Sequence, residues 1–384
     1  MIIYILMVII SLCFIILAEK VEKKKIKILL YVLAVLPFFL VSAFRFDLGT
    51  DYTRRYVKDY NKLVNGIDVK NLEIGFKSLD KLCIKITHNP TIIFFITSGM
   101  ILVLTMIPIF KKSKKIILSI LIFFFAGVFF NSLNLVRQYI SISLIFFGYM
   151  FIAKEKTTIK DYVIYIIFNI VAVLFHSTSI VAFILIFLNK KEITNWKWVI
   201  SICLAILLFN KVCMNGIALI IKNTRFHVYL SGKMSGPDLS VLQLLVNSVI
   251  YIFMSYIYIK NKKNNTVNKE MSFYINAQAI SLIMVVLGCV HIQFNRISLY
   301  FTIFQLVSIP YFIHNMPIKE IINDLEKILK NKIKFDKIIP KFELILTTIC
   351  VISFMLLFGY TNILHNDNEV VPYRTIINRE WKIK

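Results

Sequence analysis

The stretch 162–189 reads YVIYIIFNIVAVLFHSTSIVAFILIFLN, with no charged residue and a single histidine near its middle. It is either one long helix or two passes that meet at FHSTS, 175–179. The choice decides the fold, because it sets the side of a membrane on which every later loop lies.

The chain around it is built the same way. Apolar runs fall at about 1–18, 28–44, 91–110, 116–130, 139–153, 162–175, 177–189, 199–221, 239–259, 271–290, 297–313 and 342–362. Each is near the length that crosses a hydrocarbon core of ~30 Å, several on the short side. Basic residues concentrate in cytoplasmic loops, so their distribution can choose between the two readings. With two passes and the N-terminus outside, the inner loops are 19–27, 111–115, 154–161, 190–198, 260–270 and 314–341. They hold 26 Lys and Arg, against 18 in the outer segments 45–90, 131–138, 222–238, 291–296 and 363–384. A single pass reverses everything downstream and leaves 20 inside against 24 outside. The sequence predicts two passes, or a re-entrant hairpin.

Composition excludes a soluble domain. Of 384 residues, 58% are hydrophobic and 17% charged, whereas soluble domains run at about 45–50% and about 25%. The expected fold is an all-α polytopic membrane protein of about 12 transmembrane segments, some short or re-entrant. It is expected to form one integral membrane domain over 1–384, with an outer loop at 45–90, a cytoplasmic loop at 314–341 and an outer C-terminal tail at 363–384. Met1–Ala18 has no basic leader and is followed by lysines, which suits a retained first helix better than a signal peptide. The six cysteines sit mostly inside apolar runs without paired spacing, so neither a disulfide framework nor a cysteine metal site is suggested. A net charge of +24 reads here as topology and anionic lipid, with no nucleic acid as partner.

The two faces differ in which cation they carry. All 26 basic residues of the inner loops are lysine, while all eight arginines (45, 54, 55, 137, 225, 296, 374, 379) fall in outer segments. Five of the six histidines, 88, 176, 227, 291 and 365, do the same. Arginine offers a rigid, permanently charged fork that grips phosphate or carboxylate with paired hydrogen bonds, and lysine offers a point charge. The outer face is therefore expected to handle an anion. Within 45–90, Leu72, Phe76, Leu79, Cys83 and Ile86 recur at helical spacing between Lys77, Lys81 and Lys85. An amphipathic helix follows, lying on the membrane surface or packed on the bundle. The stretch PIKEIINDLEKILKNKIK in 314–341 reads as a solvated or interfacial helix.

Four places set ionisable groups where an apolar run meets the outer face. In FRFDLGTDY (44–52), Arg45 follows the apolar run, and Gly49 permits a tight turn that aims Asp51 and Tyr52. In NSLNLVRQY (131–139), Arg137 and Gln138 open a helix, where an anion could be shared by the guanidinium and the first amides. In FHSTS, His176 ends a segment that rises only ~21 Å from residue 162, which sinks the imidazole below the surface. A neutral histidine there can take a proton from a hydroxyl. In HIQFNRISLYF (291–301), His291 and Arg296 bracket another helix start. The plainer readings stay open: an arginine that snorkels or pairs with an aspartate, such as Arg45 with Asp51, and a histidine satisfied by Ser177 or Thr178. No P-loop, GxGxxG, HExxH, acidic DxD pair or GxSxG is present, so no cofactor and no metal is expected. Isolated Asp47, Asp51 and Asp59 are too sparse to suggest a metal site.

FRFDLGTDY, NSLNLVRQYISISLIFFGYMFIAKEK (131–156), LFHSTSIVAFI (174–184) and EVVPYRTI (369–376) resemble, in that order, the EpsG-like branch of the Wzy-type polysaccharide polymerases. GTDYTRRYVKDYN and EIGFKSLDKL look like that family's first outer loop. The resemblance implies a GT-C-like helical bundle in the bacterial cytoplasmic membrane, with its active face extracytoplasmic. It implies a metal-independent glycosyltransferase that joins repeat units borne on undecaprenyl diphosphate into capsular or exopolysaccharide, beside a flippase and a chain-length regulator. Under that reading Arg137, Arg45 and Arg296 hold the diphosphate, and His176 activates the acceptor hydroxyl with Asp51 in reserve. Tyr52, Gln138 and Tyr373 would contact sugar. A glycan ligase would keep the arginines and change the acceptor. A flippase would need basic residues along a central cavity, where only Lys211 lies clearly within a helix. A membrane O-acyltransferase would also use an intramembrane histidine.

Overall fold

A computed structural model of the chain describes residues 1–188, 195–221, 241–328, 341–366 and 368–378. Arg379 and the whole of the 222–238 segment, with Arg225 and His227, lie outside the described residues. Helix is the only regular structure among the described residues, apart from one isolated antiparallel bridge between Arg45 and Thr375. The chain is a polytopic α-helical membrane protein.

Where the apolar runs are described they are mainly helical. Among the described residues six helices are long and apolar enough to cross a membrane: α1 (Ile2–Lys20), α2 (Lys24–Ala43), α5 (Thr91–Lys112), α12 (Val241–Lys263), α13 (Lys269–Gly288) and the segment Phe342–Leu364, whose first part is α17 (Phe342–Phe358). Three further spans are bent pairs: α6 (Ile116–Phe125) with α7 (Val128–Asn134), α10 (Trp196–Leu208) with α11 (Asn210–Ile221), and α14 (Gln293–Thr302) with α15 (Gln305–His314). The total is six spans, or nine if each bent pair is one, below the twelve apolar runs of the sequence. The difference lies in α8 (Val136–Ile152), α9 (Ile159–Phe175) and the 3₁₀ segment Ser177–Phe187, with 17, 17 and 11 residues. At ~1.5 Å per α-helical residue, 17 residues rise ~25 Å, short of a straight crossing.

The long spans such as α1 are apolar on all sides, as lipid-bathed helices are. On α1, Tyr4, Met7, Ser11, Ile15 and Ala18 turn inward, while Ile5, Leu6, Ile9 and Leu17 stay exposed. Burial therefore follows packing, and hydrophobicity alone does not select the inner face.

The described residues gather in two compact units. The first comprises Met1–Gly148, Ile166–Ile180 and Leu344–Lys384, and the second Tyr149–Tyr165 and Val181–Glu343. In the first unit, α1 and α2 form a hairpin, and α2 runs beside α5. The hydroxyls of Ser42 and Ser98 meet at 2.6 Å at one end of that pair, and Tyr31 stacks on Phe110 with centroids 4.3 Å apart at the other. The second end carries the lysines of 20–27 and 111–115. Phe38, Phe123 and Phe129 form an edge-to-face cluster in its core.

In the second unit, α13 is the central helix, with Phe273, Tyr274, Asn276 and Ala277 fully buried. The charged helix expected within 314–341 forms as α16 (Ile318–Ile328), and residues 329–340 lie outside the described residues. It packs on the end of α12: Tyr256 donates to Asp324 at 2.8 Å, Lys260 pairs with Asp324, and Asn264 donates to Glu320.

The stretch at 162–189 folds back on itself. Tyr165 donates its hydroxyl to the carbonyl of Ala182 at 2.5 Å, although 17 positions separate them. A straight helix would hold such residues ~25 Å apart. The turn falls at His176, between the end of α9 and the 3₁₀ segment.

Candidate functional site

The site is assembled at the end of the first unit opposite the lysines of 20–27 and 111–115. The loop of residues 45–90 starts there. Gly49 takes φ +93°, the left-handed turn its position requires. A π-helical turn, Tyr52–Val57, then runs into α3 (Lys58–Val64). The turn is tied to the segment that precedes α8: Thr50 donates to Asn134 Oδ1 at 2.8 Å, the Asp51 amide to the same oxygen at 3.2 Å, and Tyr56 to the Asn134 carbonyl at 3.1 Å. The C-terminal tail closes over the loop. Phe46 donates its amide to Arg374 at 2.9 Å, Ile376 to Phe44 at 3.0 Å, and Tyr4 its hydroxyl to Val370 at 2.8 Å. Arg374 pairs with Asp47 at 3.2 Å. Two motifs from opposite ends of the sequence, 44–52 and 369–376, thus form one surface.

Arg137 occupies the first turn of α8, and its Nη1 pairs with Glu73 Oε2. The other oxygen of the same carboxylate, Oε1, stands 3.1 Å from His176 Nδ1. Glu73 is the residue before α4 (Ile74–Ile84), the amphipathic helix of the outer loop. Its placement comes from backbone packing. A Cβ on Gly75 would lie 2.8 Å from the Leu174 carbonyl oxygen, so only glycine lets α4 rest on the end of α9, two residues before His176. Ser141, one turn below Arg137, donates to the Ala172 carbonyl at 2.7 Å and fixes α8 against α9. The Glu73 and His176 side chains retain 18% and 21% of their exposure, so solvent reaches the cluster.

Burial pushes the Glu73 carboxyl up, but the His176 hydrogen bond and the Arg137 charge outweigh it and hold the group below its usual range. The carboxylate is ionised at neutral pH. With Oε1 accepting from Nδ1–H, neutral His176 keeps its lone pair on Nε2. The cluster thus joins a fixed cation, an anion and a proton acceptor. It can bind a phosphate through Arg137 and take a proton at His176.

Asp80 lies two turns along α4, and its side chain is fully buried with neither oxygen hydrogen-bonded. Burial, with the Asp59 charge second, pushes it up to about 8 against the opposing pull of Arg137.

The sequence pattern of the EpsG family matches residues 28–375. The chain belongs to the EpsG family. It is a membrane protein of the polysaccharide-polymerase type, with glycosyltransferase-like activity in general terms. No curated protein and no solved structure matches it.

The EpsG-family chain distributes its expected site residues unevenly. Arg137 and His176 meet on Glu73. Asp51, half-buried, is tied through its backbone amide to Asn134 Oδ1, and that bond does not involve its carboxylate. Arg45 lies in the same unit but is 1% exposed. It donates to the Ser42 carbonyl at 2.6 Å, to Ser98 Oγ at 3.4 Å and to the Leu133 carbonyl at 3.3 Å, and its guanidinium stands 4.6 Å from the Phe94 ring centre. The pairing of Arg45 with Asp51 envisaged from sequence does not form. Tyr52 is buried, stacked on Phe94 at 4.1 Å, with its hydroxyl on the Arg45 carbonyl at 3.3 Å. Gln138 is buried too, and Tyr373, half-buried, donates to the Val41 carbonyl at 3.0 Å. Arg296 is exposed on α14 in the second unit, while His291 is buried there with Nδ1 accepting from the Gln293 amide at 3.2 Å. Of the outer-loop helix positions, Phe76 and Cys83 face inward as expected, and Ile86 lies beyond the helix end, exposed.

Sequence reasoning missed Glu73 and Asp80. Glu73 stands in EIGFKSLDKL, and the glycine two residues after it was the available signal of a close approach. Asp80 occupies the apolar stripe, in step with Phe76 and Cys83, where an acid is out of pattern.

Proposed function

We propose that this protein joins oligosaccharide repeat units carried on undecaprenyl diphosphate into a capsular or exopolysaccharide, on the extracytoplasmic face of the bacterial cytoplasmic membrane. The observation that carries the reading is the meeting of Arg137 and His176 on one carboxylate, at the end of the first unit opposite its lysine loops. Lysine-rich loops favour the cytoplasm, which turns the cluster outward. A flippase and a chain-length regulator of the same pathway are the expected partners.

In the reaction, the bond between C1 of the donor sugar and the diphosphate oxygen breaks, and undecaprenyl diphosphate leaves with the electron pair. The acceptor hydroxyl oxygen bonds to C1, and its proton passes to His176 Nε2. Negative charge grows on the leaving diphosphate, and a preorganised guanidinium there stabilises the transition state more than the bound donor. Arg137 has that task, with Asp51 the second group able to take the proton. Arg45, sealed among carbonyls, is given the task of holding the loop and tail in place. Tyr373, the most accessible of the three expected sugar contacts, keeps that assignment.

The test is a deletion strain analysed for lipid-linked saccharides. Accumulation of single-repeat intermediates, reversed by the wild-type gene, is the expected result. Long lipid-linked chains would identify a ligase instead, and an unchanged polymer would end the reading.

A further inference from the structure

We propose that Glu73 is a positioning residue that couples the grip on the diphosphate to proton acceptance by His176. The inference rests on the function proposed above. Glu73 spends one oxygen on each partner, Oε2 on Arg137 and Oε1 on His176. A diphosphate carries more negative charge than a carboxylate and competes for the guanidinium fork. When Arg137 turns to it, the whole Glu73 charge is left facing His176. That charge stabilises the imidazolium formed as the acceptor hydroxyl gives up its proton, and the Nδ1–H contact keeps Nε2 as the accepting atom. Occupying the donor site thereby strengthens the base. Free enzyme, with the carboxylate shared, is held in a less reactive state.

The architecture does not depend on this ion pair. Gly75 presses against Leu174, and Tyr56, Thr50 and Asp51 tie the loop to Asn134, all without the Glu73 side chain. Glu73→Gln therefore keeps the fold and removes the charge.

The experiment uses the purified full chain in lipid nanodiscs, with undecaprenyl diphosphate as binding probe and polymer formation as readout. In Glu73→Gln, Arg137 is released from its competitor, so the probe binds more tightly while turnover falls by ~100-fold. A purely structural residue would weaken both together. The nitrogen NMR signals of His176 in the ligand-free protein supply an independent readout: one Nδ1–H tautomer in wild type, a mixture in the variant. Weaker probe binding in step with lost turnover, or wild-type turnover, would overturn the proposal. If Glu73→Gln fails to fold, Glu73→Asp keeps the charge but is one methylene too short to reach both partners. Reduced turnover with near-normal probe binding is then expected, and normal turnover overturns the idea. Should wild-type protein bind no undecaprenyl diphosphate, the function above fails. The tautomer measurement then judges Glu73 alone, and a mixture in wild type rejects it.

Discussion

Two arginines of the first unit are almost equally buried and are held in opposite ways. Arg45, 1% exposed, is surrounded by neutral acceptors and an aromatic face, with no carboxylate partner among the described residues. Arg137, 5% exposed, has a carboxylate on its fork, and that carboxylate is itself shared and partly open to solvent. A cation bonded to backbone carbonyls cannot exchange them without opening the fold. A cation paired with a movable anion can trade it for another anion. The difference separates a strut from a binding group, although both residues sit in the same kind of sequence, an arginine at the outer edge of an apolar run.

Breaking the binding group gives the largest effect. Arg137→Lys keeps the charge and loses the fork, and should lower polymer formation by ~100-fold or more. Membrane protein level and thermal stability should stay near wild type. Full polymer from this variant would return Arg137 to the rank of an anchor.

Breaking the strut gives the converse. Arg45→Ala removes the donors that join the end of α2 to the Leu133 carbonyl and leaves buried acceptors unmet, at a cost of ~3 kcal/mol. Thermal melts in detergent should shift downward. The polymer made per folded molecule should fall far less than in Arg137→Lys. A loss of turnover without a loss of stability would contradict the distinction.

The comparison also marks where sequence reading succeeds. The apolar runs and the fold-back at His176 follow from one-dimensional patterns of burial and charge, and they position Arg137 and His176. The partner of both does not follow. Glu73 is 64 residues from Arg137 and 103 from His176, in a polar loop where an acid is unremarkable. Only the glycine contact two residues later brings it in. Arg45 shows the opposite gap: its motif names the residue, but periodicity does not reveal whether a side chain at a helix end points out to a ligand or back into the bundle, where the structure places it. The runs that form α8 and α9 read as short from the sequence, but hydrophobicity does not report the depth at which they lie.

Asp80 sharpens the contrast, as a buried acid whose oxygens have no hydrogen-bond partner. Its carboxyl is raised to about 8, so the folded chain keeps a proton that the unfolded chain releases above ~4. Between those values the folded state binds more protons, and stability falls as pH rises. Asp80→Asn removes that dependence. The variant should gain on wild type as pH increases, by ~1 kcal/mol for each pH unit in that window, and level off above about pH 8. Melting curves at about pH 6 and about pH 8 read the difference. Equal shifts at both would mean that the carboxyl titrates normally.

The smallest effect is expected at a cluster of neutral buried polar groups in the second unit. Gln305 donates to Asn247 Oδ1 and to Gln278 Oε1, each at 3.0 Å, and Ser281 donates to Asn247 Oδ1 at 3.1 Å. These bonds join α12, α13 and α15 in a closed amide network. Hydrogen bonds between membrane helices contribute ~0.6 kcal/mol each, because the separated helices also find partners. Gln305→Leu should therefore cost only ~1 kcal/mol, and polymer formed per folded molecule should remain at wild-type level. A neutral, satisfied network glues helices, whereas a charged and shared one does chemistry. If Gln305→Leu abolished polymerisation in a protein that melts normally, the amides of α12, α13 and α15 would have to contact substrate, and that division of labour would fail.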